Sequence, residues 1–228
     1  MNFTPASLPS VVAFVGIVVA VAAAILWAIY RAYQTPKAVG IAALFLTAWL
    51  GTQAALIVSG RMASLPFNGL PFFFAPILVF GVCAGLSPAG GKIATAVPLA
   101  ALVGFQAFRL PLELVLHSWV AQGTIPSTMT WTGLNWDIVS GVVALVAAPL
   151  VGRYRGAARA ANVVGFALLL NVMRVAIMSA PVPFGWHVQP PLQLPFHLPY
   201  ALIGPICVGG ALFGHVVLTR ALFRREAR

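Results

Sequence analysis

Acidic residues are nearly absent from this chain. Of 228 residues only Glu113, Asp137 and Glu226 are acidic, against 13 lysines and arginines. All charged residues together make up 7% of the chain, where a soluble domain carries about 25%. That scarcity excludes a soluble globular fold. With 61% hydrophobic residues and a mean hydropathy of +0.99, the chain reads as an integral membrane protein. Cysteine is scarce too. Cys83 and Cys207 stand far apart in apolar stretches, with no CxxC or Cys/His metal spacing, and read as small buried hydrophobes. The only lysines, Lys37 and Lys92, lie in or beside loops, which excludes a retinal Schiff base in the last span.

What is present is a series of long apolar runs. A hydrocarbon core needs about 20 apolar residues per helix. Seven stretches qualify, near 8–30, 38–59, 71–88, 93–119, 136–152, 160–180 and 197–219. The expected fold class is all-α: one polytopic transmembrane helix bundle of about seven spans over residues 1–228. The third and fifth runs are short, which leaves six spans plus a re-entrant segment as an alternative. No basic region precedes the first run, so it is expected to stay in the membrane rather than be cleaved.

The basic residues sort by loop. Arg31, Lys37, Lys92, Arg153, Arg155, Arg159, Arg220, Arg224, Arg225 and Arg228 fall on one side, and Arg61 alone on the other. Positive charge marks the cytoplasmic side, so the C-terminus is expected in the cytoplasm and the N-terminus outside. The formal charge of +10 is thus a topology signal, and nucleic acid is excluded as a partner. The lipid bilayer is the expected partner; the oligomeric state stays open.

The expected outer loops are distinctive. Residues 120–135 carry no charge, and 181–196 contain Pro181, Pro183, Pro190, Pro191 and Pro195, a composition that precludes continuous helix and suits a lid. Trp119, Trp131, Trp136 and Trp186 fall where interface anchors belong. The turn GLSPAGGKI at 85–93 lacks the spacing and the Ser/Thr of a phosphate loop.

Polar residues gather in the fourth run. Gln106, Arg109, Glu113 and His117 are three, four and four apart, which puts all four on one helix face. Asn171 and Arg174 share a face of the sixth run, Asn135 and Asp137 open the fifth, and His197 opens the seventh. All fall in the expected outer half. Arg109 with Glu113, and Arg174 with Asp137, form two candidate ion pairs. His215 lies apart, in the expected inner half, and reads as a core histidine; His117 and His197 leave a haem or metal ion open, and no cofactor is assigned.

Several of these residues occur in a pattern that resembles the exosortase/archaeosortase family of multi-pass membrane transpeptidases. Gly123, Ile125 and Pro126 resemble its Gly-Ile-Pro-like loop, and Ser140-Gly141 the end of its Cys-Ser-Gly motif. Asn171-Val-Met-Arg174 is similar to its Asn-x-x-Arg motif, and Phe196-His197 to its Phe-His pair. The nucleophilic cysteine is absent, with Trp136–Val139 in its place. The resemblance covers about a third of the chain. It implies an outward-facing site around Arg174 and His197 without thiol chemistry.

Three functions follow as expectations. The first is a site of Gln106, Arg109, Glu113, His117, Asn135 and Asn171 that binds or transports a small polar or anionic ligand, or protons, from the outer face. The second is an exosortase-like intramembrane enzyme using Asp137, Arg174 and His197. The third is an accessory subunit whose ion pairs serve assembly. The expected location is a bacterial inner membrane.

Overall fold

Backbone amides in hydrocarbon must be satisfied within the chain, so apolar runs of this length become helices. The computed structural model describes residues 3–226, apart from the side chains of Ala63, Arg155, Arg225 and Glu226. Arg228 and the side chains of Arg155, Arg225 and Glu226, which enter the charge count, lie outside the described residues. Among the described residues all regular structure is helical. In order come α1 (Leu8–Tyr33), α2 (Pro36–Val58), α3 (Leu70–Leu86), α4 (Pro88–Ala96), α5 (Leu99–Gly104), α6 (Arg109–Ala121), α7 (Ile138–Leu150), α8 (Arg155–Ser179) and α9 (Gly209–Glu226). A 3₁₀ turn, Phe105–Phe108, joins α5 to α6.

Six segments are long and apolar enough to cross a membrane: Leu8–Tyr33, Pro36–Val58, Pro66–Leu86, Leu99–Ala121, Gly156–Ser179 and Tyr200–Arg224. The span expected at 93–119 thus begins at Leu99. Val97 is extended ahead of Pro98, which cannot donate a helical hydrogen bond, and this ends α4. Lys92, on α4, packs its ammonium 4.4 Å from the centre of the Tyr33 ring.

The span expected at 136–152 shrinks to α7. Its 13 residues make about 20 Å of helix, against about 30 Å of hydrocarbon. Residues 122–137 make up the difference by descending along α6. Trp131 stacks on His117 with ring centroids 4.3 Å apart, Asn135 donates to Glu113 at 2.8 Å, and Asp137 pairs with Arg109. Each step along α6 is four residues, or about 6 Å, so the segment sinks about 12 Å between Trp131 and Asp137. The side facing α8 repeats this order. The hydroxyls of Thr128 and Ser179 lie 2.7 Å apart, and two turns lower Asn171 donates to the Leu134 carbonyl at 2.8 Å. The descending segment and α7 therefore continue one another along α6, and α7, which is shorter than the six membrane-length segments, starts at the level of Arg109. Irregular backbone survives there only when buried in protein with its amides paired. The amides of Gly133 and Asn135 bond the Thr130 carbonyl, that of Leu134 bonds Thr128, and that of Asp137 bonds the Asn135 side chain.

The proline-rich segment lies across the end where α6 and α8 finish. The Trp186 and Leu192 amides donate to Met178 and Ser179, while Leu192 and Leu194 are buried in the largest core, with Phe14, Trp119 and Tyr200. Trp119 is thus a core residue, fully buried and donating to the Ser10 hydroxyl at 3.1 Å, and not an interface anchor. Trp136 is exposed, as an anchor would be. Cys207 is buried; Cys83, on the outward side of α3, is exposed.

Arg220 bonds the carbonyls of Gly85 and Ser87, and Arg224 that of Gly91. With Lys92 on Tyr33, these contacts gather the start of α4 and the ends of α1 and α9 at one basic end of the bundle.

Small residues set the closest helix approaches. A Cβ on Gly141 of α7 would fall 2.8 Å from the Leu110 Cα, whereas one on Gly16 of α1 would meet nothing within 4 Å. Gly141→Ala is expected to cost about 1–3 kcal/mol, the usual range for overpacking, and Gly16→Ala to be neutral. Thermal unfolding in detergent reads the difference; equal midpoints for Gly141→Ala and wild type would refute the close packing of α7 on α6.

Candidate functional site

Arg109, Glu113 and His117 share the face of α6 that meets residues 131–137, whereas Gln106 lies in the 3₁₀ turn just ahead of the helix; three of the four are among the most buried polar residues described. Gln106, Arg109 and Glu113 are 3%, 1% and 1% exposed. Arg109 is the centre of the arrangement. Its Nε donates to Asp137 Oδ2 at 2.6 Å, and its Nη2 donates to Asp137 Oδ1, a bidentate pair. Its Nη1 donates to the Gly165 carbonyl of α8 at 2.8 Å and lies 3.2 Å from His215 Nε2 of α9. One guanidinium therefore ties α6 to the segment that leads into α7, to α8 and to α9. Asp137 also accepts from Ser140 Oγ at 3.0 Å, and it precedes the first turn of α7, where the helix dipole favours negative charge.

The two ion pairs expected from sequence are not the ones formed. Arg109 and Glu113 share a face, but Asp137 arrives on a separate segment and meets the planar guanidinium with both oxygens, which a carboxylate one turn along the same helix does not do here. Arg174 is exposed; it donates to Asn171 Oδ1 at 2.9 Å and lies over the Trp186 ring, 5.6 Å from its centre. Asp137 is engaged elsewhere.

His215, set apart in the sequence reading, belongs to the network. Its Nδ1 is 2.9 Å from Asn162 Oδ1, and Asn162 Nδ2 donates to Thr219 Oγ1 at 2.7 Å. Thr219 in turn donates to the His215 carbonyl at 2.8 Å. Arginine can only donate, so Nε2 accepts and the ring proton sits on Nδ1, facing Asn162; the tautomer is assigned from this network. Ser140, Asn162 and Thr219 were not singled out as site residues. The i,i+4 spacing of His215 and Thr219 on one face was the available signal; the Gly165 carbonyl left none.

Glu113 contrasts with Asp137. Its Oε1 accepts from Asn135 Nδ2, which also donates to the Met129 carbonyl at 3.0 Å, and its Oε2 has no protein partner. Gln106 Oε1, in the turn ahead of α6, and His117 Nδ1, on the same helix face as Glu113, are likewise buried without one. Gln106 Nε2 donates to the Ala211 carbonyl of α9 at 3.1 Å. His197 stands elsewhere, stacked on Phe3 with centroids 3.9 Å apart; partial burial lowers its pKa. Among the described residues no hydrogen bond joins Asp137, Arg174 and His197 to one another, and no group of three His, Cys, Asp or Glu residues is placed to hold a metal ion.

Comparison with protein-family models, curated proteins and solved structures finds no match.

Removing one partner of a buried ion pair typically costs about 3–5 kcal/mol, and an apolar replacement of both is often neutral. Asp137→Ala is therefore expected to lower the unfolding temperature sharply, and Arg109→Met with Asp137→Leu to recover most of the loss. A double variant no more stable than the single one would show that Arg109 has other indispensable partners.

Proposed function

We propose that this multi-pass membrane protein binds and releases protons at Glu113 as part of the transport of a small polar or anionic ligand. The observation that carries the reading is the inequality of the two intramembrane carboxylates. Asp137 has an arginine on both oxygens and a serine besides, whereas Glu113 has one amide donor and a bare Oε2. An ionised carboxylate in hydrocarbon is expensive. Asp137 is compensated as an anion; Glu113 is compensated more cheaply by a proton.

The network is not an uninterrupted proton wire. Arginine does not release its proton in proteins, so Arg109 separates Glu113 from His215. Passage past this barrier requires rearrangement. Arg109 has a second carboxylate available one helical turn away on its own helix: ionised Glu113 would compete with Asp137 for the guanidinium, and protonated Glu113 would not. A proton at Glu113 thereby biases which segments Arg109 holds together, the coupling a proton-linked transporter needs. With the basic end in the cytoplasm, as the charge distribution supports, Glu113 and His117 lie towards the outer face. The enzymatic reading needs Asp137, Arg174 and His197 to converge, and the commitment of Asp137 to Arg109 favours the proton reading over it.

Infrared difference spectra between acid and alkaline buffer test the reading. Wild type is expected to show a protonated-carboxyl band that titrates and is lost in Glu113→Gln, while Glu226→Gln leaves it unchanged. An identical band in Glu113→Gln would refute the assignment. Glu113→Gln should also keep near-native thermal stability, because no charge is then left to compensate.

Orientation has its own test. In a Cys83→Ala, Cys207→Ala background, a cysteine at Ser64 is expected to react with a membrane-impermeant maleimide on intact cells, and one at Gly152 only after permeabilisation. The reverse pattern would invert the topology.

A further inference from the structure

A cleft at the basic end of the bundle lies apart from the network of Arg109 and Glu113. It holds about 540 Å³ between α1 and α2 on one side and α3, α4 and α9 on the other. Gly209 and Gly210 form part of its wall and bring no side chains into the space. The α2 stripe Ile41, Ala42 and Phe45 lines it, and one end is closed where Phe45 and Trp49 stack on Phe80 of α3, with ring centroids 5.3 and 5.1 Å apart. Ile41 and Phe45 are 61% and 54% exposed, so the cleft opens to hydrocarbon along α2. Two lysines stand at the other end. Lys37 precedes Ile41 by one turn on the same face of α2, and its ammonium has no hydrogen-bond or ion-pair partner among the described residues. Lys92 follows the lining residue Ala89 on α4 and holds its ammonium 4.4 Å from the centre of the Tyr33 ring, which also lines the cleft. An aromatic face attracts the cation without neutralising it, and the ammonium keeps its donors for an oxygen. Among the described side chains no carboxylate lines the cleft.

We infer that this cleft is a specific site for one anionic phospholipid, its phosphate against Lys37 and Lys92 and one acyl chain along Ile41, Ala42 and Phe45. Charge selects the headgroup. Two ammonium groups with donors to spare stand at one mouth, and basic pockets between membrane helices take anionic headgroups. Lys37 also lies in the first turn of α2, where the helix dipole disfavours a cation and favours an anion. A phosphate there satisfies the lysine and the helix end together. The apolar wall selects the rest of the molecule. From Lys37 to Phe45 α2 rises about 12 Å with no polar side chain between them, which suits an acyl chain and not a free anion. The opening along α2 leaves the second chain in the bilayer. Placement in the cytoplasmic leaflet rests on the topology proposed above; the site itself does not rest on proton binding at Glu113.

The test uses full-length protein, delipidated in detergent and offered phosphatidylglycerol or phosphatidylcholine of matched chains. Native mass spectrometry counts the bound lipid. Wild type is expected to retain one phosphatidylglycerol with at least about tenfold preference over phosphatidylcholine, since each basic residue near the headgroup contributes about fivefold. Both lysines are exposed, so replacing them leaves the core intact. Lys37→Gln is expected to reduce the preference about fivefold, and Lys37→Gln with Lys92→Gln to erase it. Ala42→Trp, which fills the apolar stretch, is expected to abolish retention. The titrating Glu113 carboxyl band should persist in all three variants, which separates a failure here from a failure of the proton reading. Equal retention of the two lipids by wild type would overturn the inference. So would a preference unchanged in the double lysine variant, displacement of the lipid by inorganic phosphate alone, retention undiminished in Ala42→Trp, or a cleft occupied by a second copy of the chain in cross-linking.

Discussion

The bidentate pair between Arg109 and Asp137 is the constraint on which the rest of the bundle depends. Each member alone in hydrocarbon would cost several kcal/mol. Together, with the Gly165 carbonyl and Ser140 satisfying further valences, they form a neutral unit that can be buried almost completely. Because the guanidinium is planar, the pair fixes direction as well as proximity. Asp137 can meet it only if the chain before α7 comes down into the bundle. The short α7, the irregular descent of 122–137 and the closeness of Gly141 to Leu110 all follow from seating one aspartate at the depth of one arginine.

Once the descent is required, the segment that makes it needs partners at every level. Thr128 meets Ser179, Trp131 meets His117, Leu134 meets Asn171, and Asn135 meets Glu113. Much of the polarity of α6 and α8 is thereby explained as lining for an extended strip of backbone. Asn171 belongs to this class: it receives Arg174 on its oxygen and spends its amide on the Leu134 carbonyl. Among the buried polar atoms without a protein partner are Glu113 Oε2 and His117 Nδ1 on α6 and Gln106 Oε1 in the turn that leads into it; Trp49 Nε1 and Gln53 Oε1 of α2 and Thr124 Oγ1 share that state elsewhere. Scaffold and candidate site thus use the same helix face and differ in whether their atoms are satisfied.

Much of this was legible in the sequence, and the rest was hidden for identifiable reasons. Apolar run length located the six long helices, and the i,i+4 spacing placed Arg109, Glu113 and His117 on one face of α6, because both signals are local; Gln106 falls in the 3₁₀ turn ahead of that helix. Partner choice is not local. Arg109 lies one turn from Glu113 but bonds an aspartate 28 positions away, and a periodicity argument cannot rank those two. The expected topology puts His215 in the inner half of the last run, apart from polar residues assigned to the outer half, and that reading sets it outside the cluster. The segment before α7 brings Asp137 to one edge of the Arg109 guanidinium, and the other edge meets His215 of α9. Trp119 was misplaced for a related reason: a boundary tryptophan suits an interface belt equally well as a core capped by the proline-rich segment, and the fold of residues 181–196 decides between them.

The arrangement also accounts for the extreme shortage of acids. A chain with only two carboxylates inside its membrane domain cannot use one casually. Asp137 is consumed by architecture: it neutralises Arg109, starts α7 and receives Ser140. Glu113 sits one turn from the same arginine and is left with a single amide donor. Were its purpose structural, glutamine would satisfy Asn135 equally well without the risk of a buried charge. A glutamate differs from glutamine in the capacity to gain and lose a proton. Under the proton reading proposed above, that difference, placed within reach of the guanidinium that ties α6 to the start of α7, to α8 and to α9, would connect a protonation event at Glu113 to the packing of the bundle.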